Sequence, residues 1–268
     1  MHVAVIPPIN SLDLAENLDY HMVLAHLVLD KIPEYLQFYR KQLEKGAFVM
    51  MDNGVAEGQM LPPEGLAQAA ELLCPSEIVL PDALHDKRET LRLVEQALSC
   101  PELMSYIHTH NTSLMGVPHG RTLAQWVGCA VGLLQYEEIR TIGISKFEVD
   151  LLPEVAVRGR APFVEILRHA VPNRPFEVHY LGMHGSPVEL SLDPQAARGV
   201  DTCLPIEAAR NGIYLSEDFG LLYRPATWEY SPKTPLPSAR YPIAQYNIGV
   251  VIKMANKERM RWIASSVD

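Results

Sequence analysis

The sequence predicts a single-domain (β/α)8 TIM barrel, and three observations predict it together. The chain has 268 residues, close to the roughly 250 that such a barrel needs. Eight short runs rich in apolar residues recur along it, and most are continuously apolar, as strands are when both faces of a parallel sheet are covered. Segments with helical periodicity separate these runs. A doubly wound open sheet is the alternative that the same alternation allows.

The predicted elements follow one another along the whole chain. The eight strands are HVAVIPP at 2–8, YHMVLAHL at 20–27, FVMMDNG at 48–54, EIVLPD at 77–82, LMGVPHG at 114–120, TIGISKF at 141–147, EVHYLG at 177–182 and GVDTCLP at 199–205. The predicted helices are 31–44, 63–73, 86–98, 121–135, 161–170 and 204–211. The last stretch, 239–265, predicts a strand or loop followed by a terminal helix.

One long segment interrupts this alternation. Residues 224–242 contain five prolines, and we expect an ordered excursion over the surface, placed to cover the active site or an interface, rather than a linker. The whole of 1–268 is therefore predicted as a single barrel domain with this proline-rich excursion and a C-terminal helix.

Composition excludes several classes of protein. No apolar run reaches the roughly 18 residues that cross a bilayer, and the first ten residues lack the features of a signal peptide, so we expect a cytoplasmic protein that does not contact membranes. Cys74, Cys100, Cys129 and Cys203 show no paired spacing, which predicts reduced, mostly buried thiols and neither a zinc site nor a disulfide framework.

The charge balance limits how the protein could meet nucleic acid. With 23 Lys and Arg against 32 Asp and Glu, the net charge is −9, so any such contact has to be a local patch. The candidate patch is Lys253, Lys257, Arg259 and Arg261 near the C-terminus. Its alternative interpretation is the solvated face of a helix.

Polar residues follow the predicted strands where barrel enzymes keep their chemistry, at the carboxyl ends. These residues are Asp52, Asp82, His119, Ser145, His184 and Asp201. Crowded acids raise one another's pKa, which lets one carboxyl group stay a proton donor while another is an ionised nucleophile. Taken singly, Asp52 could belong to a turn, and Asp82 and Asp201 could cap helices.

Other histidines receive structural interpretations. The H-x-H pair His108 and His110 precedes a strand, and we interpret it as part of a surface loop rather than a metal site. His179 lies within a predicted strand, where we expect a satisfied residue of the barrel wall.

The passage 179–212 resembles a signature of the tRNA-guanine transglycosylase superfamily. In that signature a Y-L turn with glycines is followed by R-G-[IV]-D, L-P and R-N-G. Tyr180-Leu181, Gly185, Arg198-Gly199-Val200-Asp201, Leu204-Pro205 and Arg210-Asn211-Gly212 fit this order, with a short deletion just before Asp201. The closest resemblance is to short phage-type and bacterial members that place 7-deazaguanines in DNA, and it covers nearly the whole length.

The resemblance implies a role for each matched residue. Asp201 corresponds to the nucleophilic aspartate, and Asp52 corresponds to the general acid/base. Asp82 would accept hydrogen bonds from the purine N1–H and 2-amino group, and the backbone near Gly143 would approach the exocyclic group of the base. The further base-binding residues would be His119, Tyr180 and Gly182. The nucleic-acid contacts would come from Arg210 and, in the basic patch near the C-terminus, from Lys253 and Lys257.

Three departures from the family pattern accompany this match. The C-x-C-x2-C…H zinc site, and with it the zinc-binding subdomain, is missing from the sequence. Glu207 replaces an arginine, and Pro118-His119 replaces the glutamine of V-Q-G-G. The zinc subdomain supports tRNA docking in the larger enzymes, so these changes favour DNA over tRNA as the polymer.

The expected activity is therefore exchange of guanine in nucleic acid for a free 7-deazaguanine of the preQ0 type, without a cofactor or metal. It would take place in the cytoplasm, that of the host for a phage-encoded chain, and the sequence leaves a monomer and a homodimer both open. The alternatives are the same exchange on tRNA, a catalytically silent partner subunit that binds nucleic acid, and an unrelated barrel hydrolase using the same acids.

Overall fold

A computed structural model of the chain describes residues 1–152, 158–183, 189–192, 195–216 and 230–265, of which 149–150, 191–192 and 257–265 are described by backbone only. Its centre is one sheet of eight parallel strands, curled into a nearly closed barrel. The strands are β1 His2–Val5, β2 Tyr20–Leu24, β3 Phe48–Asp52, β4 Glu77–Val79, β5 Ser113–Gly116, β6 Ile139–Ser145, β7 Glu177–Leu181 and β8 Gly199–Thr202. The predicted (β/α)8 barrel is confirmed, and each predicted strand overlaps one observed strand.

The strand order around the barrel is β1-β8-β7-β6-β5-β4-β3-β2. Asp201 of β8 pairs with Ala4 of β1, and Asp52 of β3 pairs with Leu24 of β2. Strands β1 and β2 form the two ends of this order and share no ladder of backbone hydrogen bonds. We call this junction the β1/β2 seam.

Helices lie between successive strands and cover the outside of the sheet. They are α1 Ala25–Leu29, α2 Pro33–Glu44, α3 Pro63–Leu73, α4 Lys87–Leu98, α5 Pro101–His110, α6 Leu123–Leu133, α7 Ala161–Ala170, α8 Glu189–Leu192, α9 Leu204–Arg210 and α10 Tyr241–Ser265. Short 3-10 turns lie at Ile9–Ala15, Lys146–Leu151 and Ser238–Arg240.

Local chemistry explains where these helices begin. Proline stands in the first turn of α2, α3, α5, α7 and α9, where a missing amide hydrogen costs nothing. The side chain of Asp86 caps α4 by accepting from the amide of Glu89, and Thr122 caps α6 in the same way. The N-cap of α9 is Cys203, so neither Asp82 nor Asp201 has the alternative role of a helix cap.

Apolar residues fill two regions of the core. The larger lies between the sheet and the helices, and it explains why most strands read as apolar on both faces. The smaller fills the barrel interior with Ala4, Ile6, Tyr20, Met22, Met50, Val79, Met115 and Val117. Side chains of alternate strand residues point inward, so each strand delivers its last inward residue to the carboxyl end of the barrel.

Two predictions about local structure were wrong. His108 and His110 lie in the last turn of α5 rather than in a loop, where the ring of His110 stacks on Tyr106 with centroids 4.2 Å apart. The cysteines are free, but only Cys100 and Cys129 are buried, whereas Cys74 is exposed at the end of α3 and Cys203 is intermediate.

Candidate active site

A cavity of about 860 Å³ opens at the carboxyl ends of the strands, and every one of the eight strands or the loop after it contributes to its wall. Five of the six polar residues predicted at strand ends line it: Asp52, Asp82, His119, Ser145 and Asp201. Gly182 lines it as well. His184, the sixth, lies outside the described residues. Residues 230–233, from the proline-rich segment, close one side of the cavity.

Asp201 is held by one of its two carboxylate oxygens. Its Oδ1 accepts a hydrogen bond from the amide of Gly182 at 2.8 Å, and His179 Nε2 lies 3.2 Å from the same atom. Among the described residues, no donor contacts Oδ2. Gly182 adopts a φ of +65°, a left-handed backbone conformation that favours glycine over residues with a Cβ. The arrangement fixes the carboxylate and leaves one oxygen for chemistry.

A buried chain of polar groups continues from Asp201 into the barrel. Tyr20 Oη lies 2.9 Å from His179 Nδ1 and accepts from Arg198 Nε at 3.1 Å. Burial lowers the pKa of His179 and raises the pKa of Tyr20. Because the imidazole is neutral and the tyrosine protonated, Tyr20 donates to Nδ1 and His179 donates from Nε2 to Asp201.

Close packing at the base of this chain depends on one glycine. A Cβ at Gly199 would stand 2.5 Å from the ring of Tyr20, which therefore packs directly on the backbone of β8. Arg198 then reaches Glu77 Oε2 at 2.6 Å, deep in the amino end of the barrel. The R-G-V-D motif thus supplies the arginine, the packing space and the carboxylate of one continuous network.

Asp52 has the electrostatics of a proton donor. Burial is the largest cause that raises its pKa well above the ordinary value, and the negative charges of Glu57, Asp201 and Asp82 add to it. The amide of Gly54 donates to its Oδ2 at 3.0 Å, which partly opposes the rise. The sequence predicted this rise from crowding of carboxylates, but burial outweighs the neighbouring charges. Burial therefore favours the protonated form of Asp52.

A second polar array surrounds Asp82. Its Oδ2 lies 2.7 Å from His119 Nε2, and its Oδ1 accepts from Asn53 Nδ2 at 2.7 Å. The other imidazole nitrogen, Nδ1, lies 2.5 Å from Glu148 Oε1, a carboxylate with no solvent exposure. Burial works to lower the pKa of His119, but hydrogen bonds to Asp82 and Glu148 and their negative charges outweigh it and raise the pKa to about 9. His119 is therefore an imidazolium that holds Asp82 in place.

The structure does not bring every predicted base-binding side chain to the cavity. Tyr180 is 1% exposed and lies on the outer face of β7, where the Arg160 guanidinium is 4.5 Å from its ring centroid. The alternation of side chains along β7 turns it away from the cavity, so its expected contact with a base is corrected. Gly143 faces the interior, but Leu181 and Met115 already fill the space beside it. His119 has both nitrogens engaged, so its contact with a base would pass through Asp82.

The residues predicted to contact nucleic acid differ in their exposure and in their contacts. Arg210 is mostly buried; it binds Glu207 Oε1 at 2.5 Å and the carbonyl oxygens of Ser231 and Thr234. Its guanidinium thus connects residues 231–234 to α9. The prediction that Arg210 contacts nucleic acid is corrected, because its side chain stabilises the fold instead. Lys253 is exposed on α10, and the side chain of Lys257 lies outside the described ones.

Sequence reasoning missed several residues of the site. His179 was assigned to the barrel wall, and it is indeed satisfied there, but its partner is Asp201. The inward period of two along β7, which places 177, 179 and 181 on one face, was a usable signal. Asn53 and Glu148 gave no comparable signal, because their contacts with Asp82 and His119 join separate loops.

Neither a scan against models of protein families nor a search of curated proteins returns a match for this chain. The resemblance to the transglycosylase superfamily therefore stays a prediction from its motifs. Within the described ranges, no group of three or more His, Cys, Asp or Glu side chains is arranged to hold a metal ion. In the same part of the chain, none of the helices has both the length and the apolar character needed to span a bilayer.

Proposed function

We propose that the protein is a base-exchange transglycosylase that replaces guanine in DNA with a free 7-deazaguanine through a covalent bond to Asp201. The observation that carries this proposal is the pairing of two unlike carboxyl groups in one cavity. Asp201 is anchored through Oδ1, with no described donor on Oδ2, while Asp52 has a pKa raised well above its ordinary value. A nucleophile and a proton donor are the two groups that a retaining displacement at a sugar carbon requires.

The first half-reaction forms the covalent intermediate. Asp201 Oδ2 attacks C1′ of the target nucleotide, the bond from C1′ to the guanine nitrogen breaks, and its electron pair stays on the departing base. Asp52 gives its proton to that base. In the second half-reaction the carboxylate of Asp52 takes the ring N–H proton of the incoming 7-deazaguanine, whose nitrogen attacks C1′ and releases Asp201. Two inversions at C1′ restore the original configuration.

Asp82 supports recognition of guanine-like bases. Its carboxylate oxygens keep lone pairs beyond those used by Asn53 and His119, and they can accept from the purine N1–H and 2-amino group. The positive charge of the His119 imidazolium lies beside the Asp82 carboxylate, with Nε2 2.7 Å from Oδ2 in this buried position. Adenine lacks both donors, and it would leave the acceptors of Asp82 unpaired.

The polymer has to present its base outside a duplex. An 860 Å³ cavity accommodates an extruded nucleotide but not a helix, so the target is flipped or single-stranded. The lack of a zinc-site motif favours DNA over tRNA. A catalytically silent partner subunit is disfavoured because Asp52 and Asp201 are both present in the cavity.

The test is capture of the covalent intermediate. The protein is incubated with a guanine-containing oligodeoxynucleotide, its duplex, or tRNA, and the mixture is resolved on a denaturing gel. We expect an adduct with DNA, exchange of labelled guanine, and loss of both in Asp201→Asn. The matched control is Asp30→Asn, which removes a negative charge from another residue of the cavity wall and should retain both. An adduct that persists in Asp201→Asn would overturn the assignment, adducts with tRNA alone would change the polymer, and activity abolished by chelators would favour a metal-dependent hydrolase.

A further inference from the structure

A basic groove lies beside the cavity, between α4 and α6. It encloses about 1050 Å³ and is lined by side chains of both helices and of the loops that precede them. Its positively charged residues are Lys87, Arg88, Arg92 and Arg121, with His85 next to them, and its acidic residues are Asp86 and Glu95. We define these residues as the α4/α6 groove.

The charges of the groove are not balanced internally. Asp86 uses its carboxylate to cap α4, and Arg92 is paired with Glu89 at 2.6 Å. Within the described part of the chain, the side chains of Lys87, Arg88 and Arg121 form no ion pair. The Lys87 ammonium lies 2.6 Å from where a Cβ on Gly128 would stand, so α4 extends its charge across to α6. Asp86 and Glu95 offset part of this positive charge, and the remaining excess is available to an external anion, on a protein whose net charge is −9.

Two loops connect this groove directly to the cavity. The loop after β4 places Asp82 in the cavity and continues to Lys87 and Arg88 in the groove. The loop after β5 places His119 in the cavity and ends with Arg121 in the groove. His85 Nδ1 lies 3.5 Å from Glu148 Oε1, behind His119. A chain leaving the cavity in this direction would therefore enter the groove.

Exposed apolar side chains mark the passage between the two. Leu84 is 41% exposed and Phe147 is 42% exposed, and both line the mouth of the cavity. The Lys146 ammonium lies 5.2 Å from the ring centroid of Phe147. Flat apolar surface next to cations is the combination with which proteins hold single-stranded nucleic acid, because bases stack on the one and phosphates pair with the other.

We propose that the α4/α6 groove binds the phosphodiester backbone of the unpaired DNA strand whose target base occupies the cavity, with neighbouring bases on Phe147 and Leu84. This inference rests on the proposed function, since it takes the base in the cavity to belong to a polymer. In this proposal Arg88 and Arg121 bind the strand, a role first predicted for Arg210, which is mostly buried.

The experiment compares two charge reversals of equal size. In the first variant, Arg88→Glu is combined with Arg121→Glu. In the control, Arg140→Glu is combined with Arg168→Glu; these residues are also exposed, but they lie at the amino end of β6 and the carboxyl end of α7, on the opposite end of the barrel. Binding of a fluorescent single-stranded oligodeoxynucleotide is measured by anisotropy over a series of KCl concentrations.

We expect the groove variant to bind at least about tenfold more weakly at low salt, with the slope of log affinity against log salt reduced by about 1.4 for two lost phosphate contacts. The control should match the wild type in both quantities. Guanine exchange into free deoxyguanosine, which has no phosphate, should be the same in all three proteins.

The outcomes separate this inference from the proposed function. If the wild type exchanges guanine in DNA and the groove variant binds and exchanges equally well, the groove proposal is overturned while the function stands. If only the groove variant binds the oligodeoxynucleotide more weakly, but none of the three proteins exchanges guanine, the groove proposal is supported and the proposed function is overturned. Equal weakening in the control, or displacement of the strand by polyglutamate at matched charge, would also overturn the groove.

Discussion

At the scale of single residues, the geometry around Asp201 depends on which groups donate to it. The carboxylate receives one hydrogen bond from a backbone amide that mutation cannot remove and one from His179. The imidazole is itself oriented by Tyr20, so Nε2 carries the proton. His179 touches no reacting atom in the proposed mechanism, and it acts as a positioning residue for the nucleophile.

We expect His179→Ala to lower kcat of base exchange about 10²-fold with little change in KM, the scale on which loss of one preorganised donor acts. His179→Gln places an amide donor near the position of Nε2 and should recover most of kcat. Steady-state kinetics and the rate of adduct formation measure both effects. A purely structural role would instead give equal losses in the two variants, together with a fall in thermal stability.

Sequence reasoning reached part of this residue-scale description. Asp52, Asp82 and Asp201 were predictable because each lies close to the carboxyl end of an apolar run, and a barrel brings strand ends together. The contacts of Asn53 and His119 with Asp82, and of Glu148 with His119, were not predictable. They depend on the paths of different loops. Tyr180 was misplaced because a motif match does not say which face of a strand a residue occupies.

At the scale of elements, one buried ion pair holds the ends of β6 and β7 together. Arg160 lies just before α7, has no solvent exposure, and pairs with Glu189 of α8 at 2.8 Å. Its guanidinium also donates to the carbonyl oxygens of Ile144, Leu181 and Gly182. The carbonyl of Gly182 belongs to the residue whose amide binds Asp201, so this arginine sets the backbone of the loop that holds Asp201.

Arg160→Ala should lower the free energy of unfolding by about 3–5 kcal/mol, because it removes the guanidinium that neutralises the buried Glu189 carboxylate. The matched control is Arg158→Ala, which removes an ion pair whose partners are 50% and 49% exposed and should cost less than about 1 kcal/mol. Urea denaturation of the two variants gives the comparison. Similar losses in both would show that Arg160 does not have this role.

Most elements were predictable from their own residues, and the exceptions have local causes. The predicted bounds 63–73 and 161–170 coincide with α3 and α7, which begin at or next to a proline and have strong apolar periodicity. Helix α5 was not predicted because its polar end, with His108 and His110, resembles a loop. Helix α1 was not predicted because it continues directly from the apolar run of β2.

At the scale of the whole molecule, the buried His119 makes stability depend on pH. Its pKa rises from 6.5 in an unfolded chain to about 9 in the folded protein. A raised histidine pKa stabilises the fold fully below pH 6.5, and this contribution is lost as the pH rises through about 9. At 1.36 kcal/mol per pKa unit, the whole contribution is about 3 kcal/mol.

The measurement compares the wild type with His119→Gln by urea denaturation between pH 6.5 and 10. We expect the difference in free energy of unfolding to shrink by about 3 kcal/mol over this range. The raised pKa values of Asp52 and Glu57 also make the fold less stable as the pH rises. Both proteins contain these residues, so this effect cancels in the difference between them. A difference that does not change with pH would exclude the imidazolium.

The β1/β2 seam has a consequence for the distance between the two carboxyl groups of the proposed mechanism. Asp201 belongs to the strand beside β1, and Asp52 belongs to the strand beside β2. In one direction around the barrel, β8 and β3 are separated by β1 and β2, which share no ladder of hydrogen bonds. In the other direction, five hydrogen-bonded strand pairs connect β8 to β3. If β1 and β2 moved slightly apart, the distance between Asp201 and Asp52 would increase while every hydrogen-bonded strand pair stayed intact. Under the proposed mechanism, this motion would let a nucleotide enter before the two carboxyl groups approach its sugar, and would let the departing base leave.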